Sequence, residues 1–369
     1  MKINQFQPYI GDEEYKAIKS CFDDNWITEG PRSKEFSDKL LALTGAKYGV
    51  FAQNGTLALY LAMRAIGIGI GDEVIVPNFT FIASANAVEM CGAKPVFVDV
   101  NKDDLQINIE DCSRVLTTNT KAIMPVHVFG LSANMDDVMD FARNNDLKVI
   151  EDAAQAIGVS WDGKHCGTFG DVGCFSFFAD KTITTGEGGF VTTNDEGVYN
   201  KLLFLRNQGR INRGSFIHPE IGYNFRITDI QAAMGIVQLG KLDDIVSRKL
   251  NILEMYKDRL SGISGIRIIE PKSKSNHVPF RVVLMCDDPV ESLMDAFSSN
   301  EIETRTVFYP LHRQPCYNNQ DEPRDLTYDK TFSTSIHAYE HGICLPSYPE
   351  LEENQIDYIC NVLKEYFNV

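Results

Sequence analysis

Two residues of this chain stand out for the chemistry they could perform together. Lys181 lies in the run Phe175-Ser176-Phe177-Phe178-Ala179-Asp180-Lys181-Thr182-Ile183-Thr184-Thr185-Gly186-Glu187-Gly188-Gly189, and Asp152 closes the apolar run Leu147-Lys148-Val149-Ile150-Glu151. Each falls just past a segment that reads as a strand. A lysine amine can form a Schiff base with pyridoxal phosphate (PLP), while a carboxylate can keep the pyridine nitrogen protonated so that the ring withdraws electrons. Gln155 ends the small-residue run Glu151-Asp152-Ala153-Ala154-Gln155, a composition that allows close backbone approach to a ligand. Asp152 could equally cap a following helix. Its pairing with Lys181 favours the functional account.

Accessory residues point the same way, each with a plainer alternative. Asn54-Gly55-Thr56 directly precedes the helix-forming stretch Leu57-Ala58-Leu59-Tyr60-Leu61-Ala62-Met63. Free amides and a hydroxyl at a helix start make a phosphate seat, although simple capping by Asn54 or Thr56 accounts for the same residues. Ser176 offers a second hydroxyl to that phosphate, or a structural hydrogen bond. In Pro77-Asn78-Phe79-Thr80-Phe81, an aromatic ring past a strand can stack on a flat cofactor. A turn there separates Phe79 from Phe81, so one ring is expected to stack and the other to join the core.

These residues need a scaffold that delivers them to one edge. From about residue 45 to 193, short β-rich runs alternate with helix-compatible stretches. Val74-Ile75-Val76, Pro95 to Val98, Ala122 to Val126, Val149-Ile150, Cys174 to Phe177 and Phe190 to Thr192 read as buried strands. Helical stretches run from Ile82 to Cys91 and from Met135 to Asn145. The pattern predicts an α/β domain, a mainly parallel sheet with helices on both faces and its ligand at the strands' carboxyl ends. A helical stretch from about Asp229 to Leu260 leads onward, weakened as one unbroken helix by Gly235 and Gly240. The remainder mixes a strand at Phe280 to Met285 with helices, the last placing Ile356, Ile359, Cys360, Leu363 and Phe367 on one face. Tyr317 to Lys330 reads as an exposed loop.

The whole-chain properties narrow the class. With 369 residues the chain can bury a sizeable core, and its net charge of −16 disfavours nucleic acid or an anionic membrane as partner. Nine scattered cysteines without a CxxC pair suit a reducing cytoplasm rather than a disulfide framework or zinc site. No apolar run is long enough to span a bilayer, and the N-terminus lacks the apolar core of a signal peptide. Gly67-Ile68-Gly69-Ile70-Gly71 precedes a strand instead of following one, so it reads as a turn and not a dinucleotide loop. His337 and His341 have helical spacing but no HExxH glutamate and no third ligand, and are read as surface or loop residues; no metal is expected.

Taken together, several of these motifs in order resemble the sugar aminotransferase family of fold-type I PLP enzymes, which modify nucleotide-linked deoxysugars. The likeness includes Trp26-Ile27-Thr28-Glu29-Gly30-Pro31, Asn54-Gly55-Thr56, Phe79-Thr80-Phe81, Glu151 to Gln155 and the Lys181 run. It continues through Ile221-Gly222-Tyr223-Asn224-Phe225-Arg226-Ile227-Thr228, Tyr309-Pro310-Leu311-His312 and Leu345-Pro346-Ser347-Tyr348-Pro349. The resemblance implies an aspartate-aminotransferase-like three-layer sandwich over residues 1–245, and a smaller α+β domain over 246–369. It makes Lys181 the Schiff-base lysine and Asp152 the partner of the ring nitrogen, with Gln155 beside the ring and Phe81 stacked on it. Gly55, Thr56 and Ser176 would hold the phosphate. Asn224 would reach the neighbouring subunit's site, implying a homodimer. Thr28, Arg305, His312 and Arg313 fall on the substrate side. Arg305 and Arg313 are candidates for a diphosphate, or for plain ion pairs. The resemblance further implies amino transfer from L-glutamate to C4 of a nucleotide-linked 4-keto-6-deoxyhexose, with pyridoxamine phosphate as the alternate cofactor form. The combination of Ile302-Glu303-Thr304-Arg305, Phe308 to His312 and Ile221-Gly222-Tyr223-Asn224 looks most like the branch acting on GDP-4-keto-6-deoxymannose; relatives acting on UDP- or dTDP-linked sugars share most motifs.

Overall fold

A computed structural model describes residues 2–211, 214, 216–318 and 326–368. The large sheet has seven strands: β1 (Tyr48–Ala52), β2 (Glu73–Pro77), β3 (Lys94–Val98), β4 (Thr120–Ile123), β5 (Lys148–Asp152), β8 (Val172–Ser176) and β9 (Gly189–Thr193). A short hairpin, β6 (Ser160–Trp161) and β7 (Lys164–His165), intervenes. The order is β1-β9-β8-β5-β4-β2-β3, and β9 alone runs against its neighbours. Residue alternation sends Val74, Val76, Ala122, Ile150 and Val172 to one face, under the helices Gly55–Ala65, Ala83–Met90 and Glu196–Arg206. Ile75, Ile123 and Val149 bury on the other, against Met135, Val138 and Phe141 of the helix Met135–Asn144. Helices on both faces make the expected three-layer α/β sandwich.

The turn residues fall where expected. Gly67 and Gly71 adopt left-handed conformations between the helix ending at Ala65 and β2. The expected run Ala122 to Val126 is shorter: β4 stops at Ile123, and Val126 instead forms an isolated bridge with Asp152.

A second, antiparallel sheet lies in the C-terminal part, with order β10 (Ile266–Ile268), β11 (Val282–Cys286), β13 (Gly342–Leu345) and β12 (Arg305–Thr306). The long helical stretch is two helices, Asp229–Gly240 and Leu242–Leu260, parted at Lys241. On the second helix, Leu242 and Ile245 join the large-sheet core, while Ile252, Leu253, Tyr256 and Leu260 join the C-terminal core. The N-terminus crosses over as well: Ile3 is buried in the C-terminal core and pairs with Ile302.

Two readings of the sequence need correction. His337 and His341 lie on the helix Ser333–His341, half-buried, with ring centroids 4.1 Å apart, so they are neither loop nor fully surface residues. The segment Tyr317 to Lys330 is not all loop, because Leu326–Asp329 forms a helical turn; residues 319–325 lie outside the described residues. No helix among the described residues is long and apolar enough to cross a membrane.

Candidate active site

The carboxyl ends of β1, β2, β5 and β8 converge on one edge of the large sheet and carry most of the candidate residues. Asp152 ends β5, and its buried carboxylate is held from two sides. Ser84 Oγ donates to Oδ2 at 2.7 Å, and the Ala154 N–H donates to Oδ1 at 3.1 Å. Because the Ser84 proton goes to Asp152, Thr80 Oγ1, 3.1 Å away, donates to Ser84. Burial raises the Asp152 pKa, against the opposing pull of Ser84, Ala154 and the charges of Lys181 and His127. No helix follows Asp152, which removes the capping alternative.

Lys181 sits in a loop that bonds to itself. The Phe177 carbonyl accepts from the Thr185 N–H and Thr184 Oγ1, the Phe177 N–H donates to Gly188, and Gly186 supplies a left-handed turn. Within that frame the Lys181 amine is largely buried, 4.0 Å from Asp180 Oδ1 and 4.7 Å from the Phe280 ring centroid. Burial lowers its pKa, while the charges of Asp180 and Asp152 raise it and Arg281 lowers it further. A buried amine with a depressed pKa is what a proton-transferring base requires.

Gly55 and Ser176 are brought into contact across β1 and β8. A Cβ on Gly55 would lie 2.9 Å from Ser176 Cβ and 3.2 Å from its Oγ. Asn54 caps the helix Gly55–Ala65 by accepting from the Leu57 N–H at 3.0 Å, and its carbonyl accepts from Ala58. Among the described residues nothing accepts from the N–H groups of Gly55 or Thr56. Capping by Asn54 and an anion seat at the next two amides therefore coexist. The two phenylalanines separate as expected: Phe79 is 0% exposed, packed on Phe129 and Phe308, whereas Phe81 is 59% exposed. Gln155 Oε1 accepts from the Phe129 N–H at 2.7 Å and so holds a residue in left-handed conformation.

The substrate-side candidates divide. Arg313 is 14% exposed and committed to Asp329 (3.0 Å) and Glu340 (3.5 Å), the ion-pair alternative. Arg305 is 51% exposed and only loosely paired, 3.8 Å from Asp180. His312 is buried, its Nδ1 3.1 Å from Asn78 Oδ1 and its Nε2 2.9 Å from Asp329, with its ring stacked on Phe332. Thr28 is exposed, and its carbonyl accepts from Asp229. Asn224 accepts from Arg226 at 2.8 Å, and no hydrogen bond among the described residues links it to Gly55, Thr56 or Ser176.

The model of the DegT/DnrJ/EryC1/StrS aminotransferase family matches residues 8–364. The chain belongs to this family. The aminotransferase is 38% identical over 369 residues to the GDP-perosamine synthase of Escherichia coli O157:H7, covering 99% of both chains. It is 38% identical over 372 residues to that of Vibrio cholerae, again covering 99% of each. Among solved structures, Spr1654 of Streptococcus pneumoniae in its PLP form aligns with a TM-score of 0.92 at 26% identity, covering 100% of this chain and 99% of that one. The fold is that of fold-type I PLP aminotransferases.

Three residues of this aminotransferase escaped the reading of its sequence. Ser84 reaches Asp152 from a helix 68 residues earlier, and no local pattern marks it. Arg281 is buried and donates to Asp180 Oδ2 at 2.6 Å; an arginine at the start of an apolar strand was the available signal. Asp229 begins one helix yet caps another: it accepts from the N–H groups of Gly30, Arg32 and Ser33 and from the Ser33 hydroxyl. That bond set pins the Gly30-Pro31 segment to the start of the helix Asp229–Gly240.

Proposed function

We propose that this aminotransferase moves the amino group of L-glutamate to C4 of GDP-4-keto-6-deoxymannose, giving GDP-perosamine. The observation that carries this reading is the end-to-end likeness to two GDP-perosamine synthases, joined to a buried lysine beside a buried carboxylate. The residues fit PLP: a cradle at Gly55 that a Cβ would fill, two helix-start amides without an acceptor among the described residues, a strand-end carboxylate and a desolvated amine. When bound, PLP supplies an electron sink that lets the donor's α-proton leave, and carries the amine as pyridoxamine phosphate between the two halves.

The chain's own residues do the rest. Lys181 Nζ takes the α-proton of glutamate and, in the second half, returns a proton to sugar C4; its burial keeps the amine available as a base. Asp152, backed by Ser84, holds the ring N–H. Gly55, Thr56 and Ser176 bind the phosphate, Phe81 covers the ring, and Gln155 holds the Phe129 turn beside it. Arg305, on the small unit at 246–369, meets the diphosphate; His312 fixes the wall through Asn78. Arg313, a candidate with it on sequence grounds, is taken up by the carboxylates of Asp329 and Glu340. The working enzyme is a homodimer in which Asn224 serves the phosphate of the second copy. Exposed Ile211, Phe216, Ile217 and Ile221 on the segment leading to Asn224 support a covered surface there.

The test begins with protein converted by L-glutamate and freed of excess donor. Addition of GDP-4-keto-6-deoxymannose is expected to restore the visible cofactor absorbance and yield an aminated GDP sugar. No restoration, with UDP- or dTDP-linked keto sugars active instead, would overturn the substrate assignment while leaving the transaminase.

A further inference from the structure

Asp180 precedes Lys181 in the chain, and its two carboxylate oxygens are treated differently. Oδ2 is clamped by Arg281 Nη2 at 2.6 Å, with Arg305 at 3.8 Å. Arg281 is itself fixed: its other arm donates to Gln5 Oε1 at 2.7 Å, and its guanidinium lies 4.8 Å from the Phe280 ring centroid. Oδ1 is buried, accepts no hydrogen bond among the described residues, and lies 4.0 Å from the Lys181 amine. The same amine sits over the face of Phe280, so one ring carries both cations on which Asp180 acts.

A buried carboxylate oxygen without a hydrogen bond is costly and calls for a partner, whether a water or a mobile cation. A cavity of about 30 Å³ opens between Asp180, Lys181, Thr182, Lys249 and Phe280, room for one or two waters. Thr182 Oγ1 is likewise buried without a hydrogen-bond partner among the described residues. Lys249 borders the cavity from the far side, but its amine is used on the carbonyls of Ser347 (2.6 Å) and Phe280 (3.4 Å), so it is not the visitor. Lys181 is the group able to move between two positions.

We propose that Asp180, clamped by Arg281, is a positioning residue whose free oxygen receives the Lys181 amine whenever that amine is released from the cofactor. This rests on Lys181 carrying the reactive amine, as the proposed function requires. The glutamate half frees the lysine, which stays free until the second half closes, and a flexible side chain of four methylenes then needs a defined resting place. Asp180 provides it, and Arg281 prevents the carboxylate from following the amine into the site. Charge balance sets the lysine's readiness. Asp180 and Asp152 favour its protonated form; Arg281, through space, and burial favour the neutral one; Lys249 lies across the cavity, its own pKa lowered to about 7 by burial, by Arg281 and against Asp180.

The experiment compares wild type with Asp180→Asn, Asp180→Glu and Arg281→Gln, each loaded with PLP and converted by L-glutamate so that Lys181 is free. Trace acetylation across a pH series, read by mass spectrometry at the Lys181 peptide, gives the pKa of that amine. Loss of the neighbouring anion in Asp180→Asn is expected to lower it by about 1–3 units. Asp180→Glu should restore most of the shift, and Arg281→Gln should move the pKa upward, since a cation is removed and the carboxylate is unclamped. Opposite signs for Asp180→Asn and Arg281→Gln are not produced by loosened packing. An unchanged Lys181 pKa in Asp180→Asn, or shifts of the same sign, would overturn the proposal. If Asp180→Asn does not fold, the upward shift in Arg281→Gln decides alone, and its absence overturns the proposal. Borohydride reduction of the loaded wild type separates this from the underlying reading. Cofactor fixed to Lys181 keeps that reading whatever Asp180 does; cofactor fixed to another lysine sinks both.

Discussion

Ser84→Ala probes how the fold keeps Asp152 ionised. The hydroxyl donates to a buried carboxylate at 2.7 Å, and hydrogen bonds to charged groups are worth about 1.5–3 kcal/mol. At about 1.4 kcal/mol per unit, its loss should raise the Asp152 pKa by about 1–2 units. Burial already holds that pKa above the ordinary carboxylate value, so the group contributes most favourably when protonated, and that contribution fades as pH rises through its folded pKa. Removing Ser84 penalises only the ionised form. The apoprotein variant should therefore be less stable than wild type by about 1.5–3 kcal/mol at mildly alkaline pH. The gap should close as pH falls through the Asp152 pKa. Urea denaturation of both apoproteins at mildly alkaline and mildly acidic pH measures this directly. The same loss should weaken PLP binding roughly 10- to 150-fold at neutral pH, read by equilibrium dialysis. A stability difference equal at both pH values would refute the reasoning, because Ser84 would then act through packing and not on the charge.

Gly55→Ala should lower PLP affinity and the melting temperature together, at a cost of about 1–3 kcal/mol, because the new methyl meets Ser176 in the seat; unchanged affinity would place the phosphate elsewhere. Lys181→Ala should abolish both half-reactions while the circular dichroism spectrum stays native. In wild type, the rate of the glutamate half-reaction should rise with pH along a limb below the ordinary lysine value, since the base must lose its proton; a flat profile would count against Lys181 as the base. Arg305→Ala should raise the KM for the GDP sugar roughly tenfold with little effect on stability. Arg313→Ala should do the reverse, costing about 1–3 kcal/mol of stability as Asp329 loses its cation, with the sugar KM little changed.

The legible parts of this protein were those written in short stretches. Val74-Ile75-Val76 and Val149-Ile150 announce buried strands because a parallel sheet covered on both sides needs apolar residues on both faces. Lys181, Asp152 and the Asn54-Gly55-Thr56 helix start are local in the same sense, and strand polarity then delivers them to one edge. The split between Phe79 and Phe81 followed from a turn at the strand end, but which ring would be buried did not. What remained hidden were the bonds between distant segments. Asp229 looks like a helix-start residue, and its actual service to Gly30, 199 positions earlier, is visible only after folding. Arg313 and Arg305 are alike as residue types, and only the carboxylates around each tell them apart.

That distant bonding also explains why the site cannot belong to the large sheet alone. Lys181 and Asp152 stand on the large unit, yet the groups that set the charge around Lys181 arrive from elsewhere. Arg281 comes from the residue just before β11, Arg305 from β12, and Gln5 from an N-terminal segment that is itself pinned to the C-terminal core at Ile3. A shift of the C-terminal sheet relative to the large sheet would part Arg281 from Asp180. The ion pair at 2.6 Å is part-buried, and a hydrogen bond between charged groups is worth about 1.5–3 kcal/mol. The two sheets are therefore tied together beside Lys181, and any motion that parts them must either keep this contact or replace it with another anion.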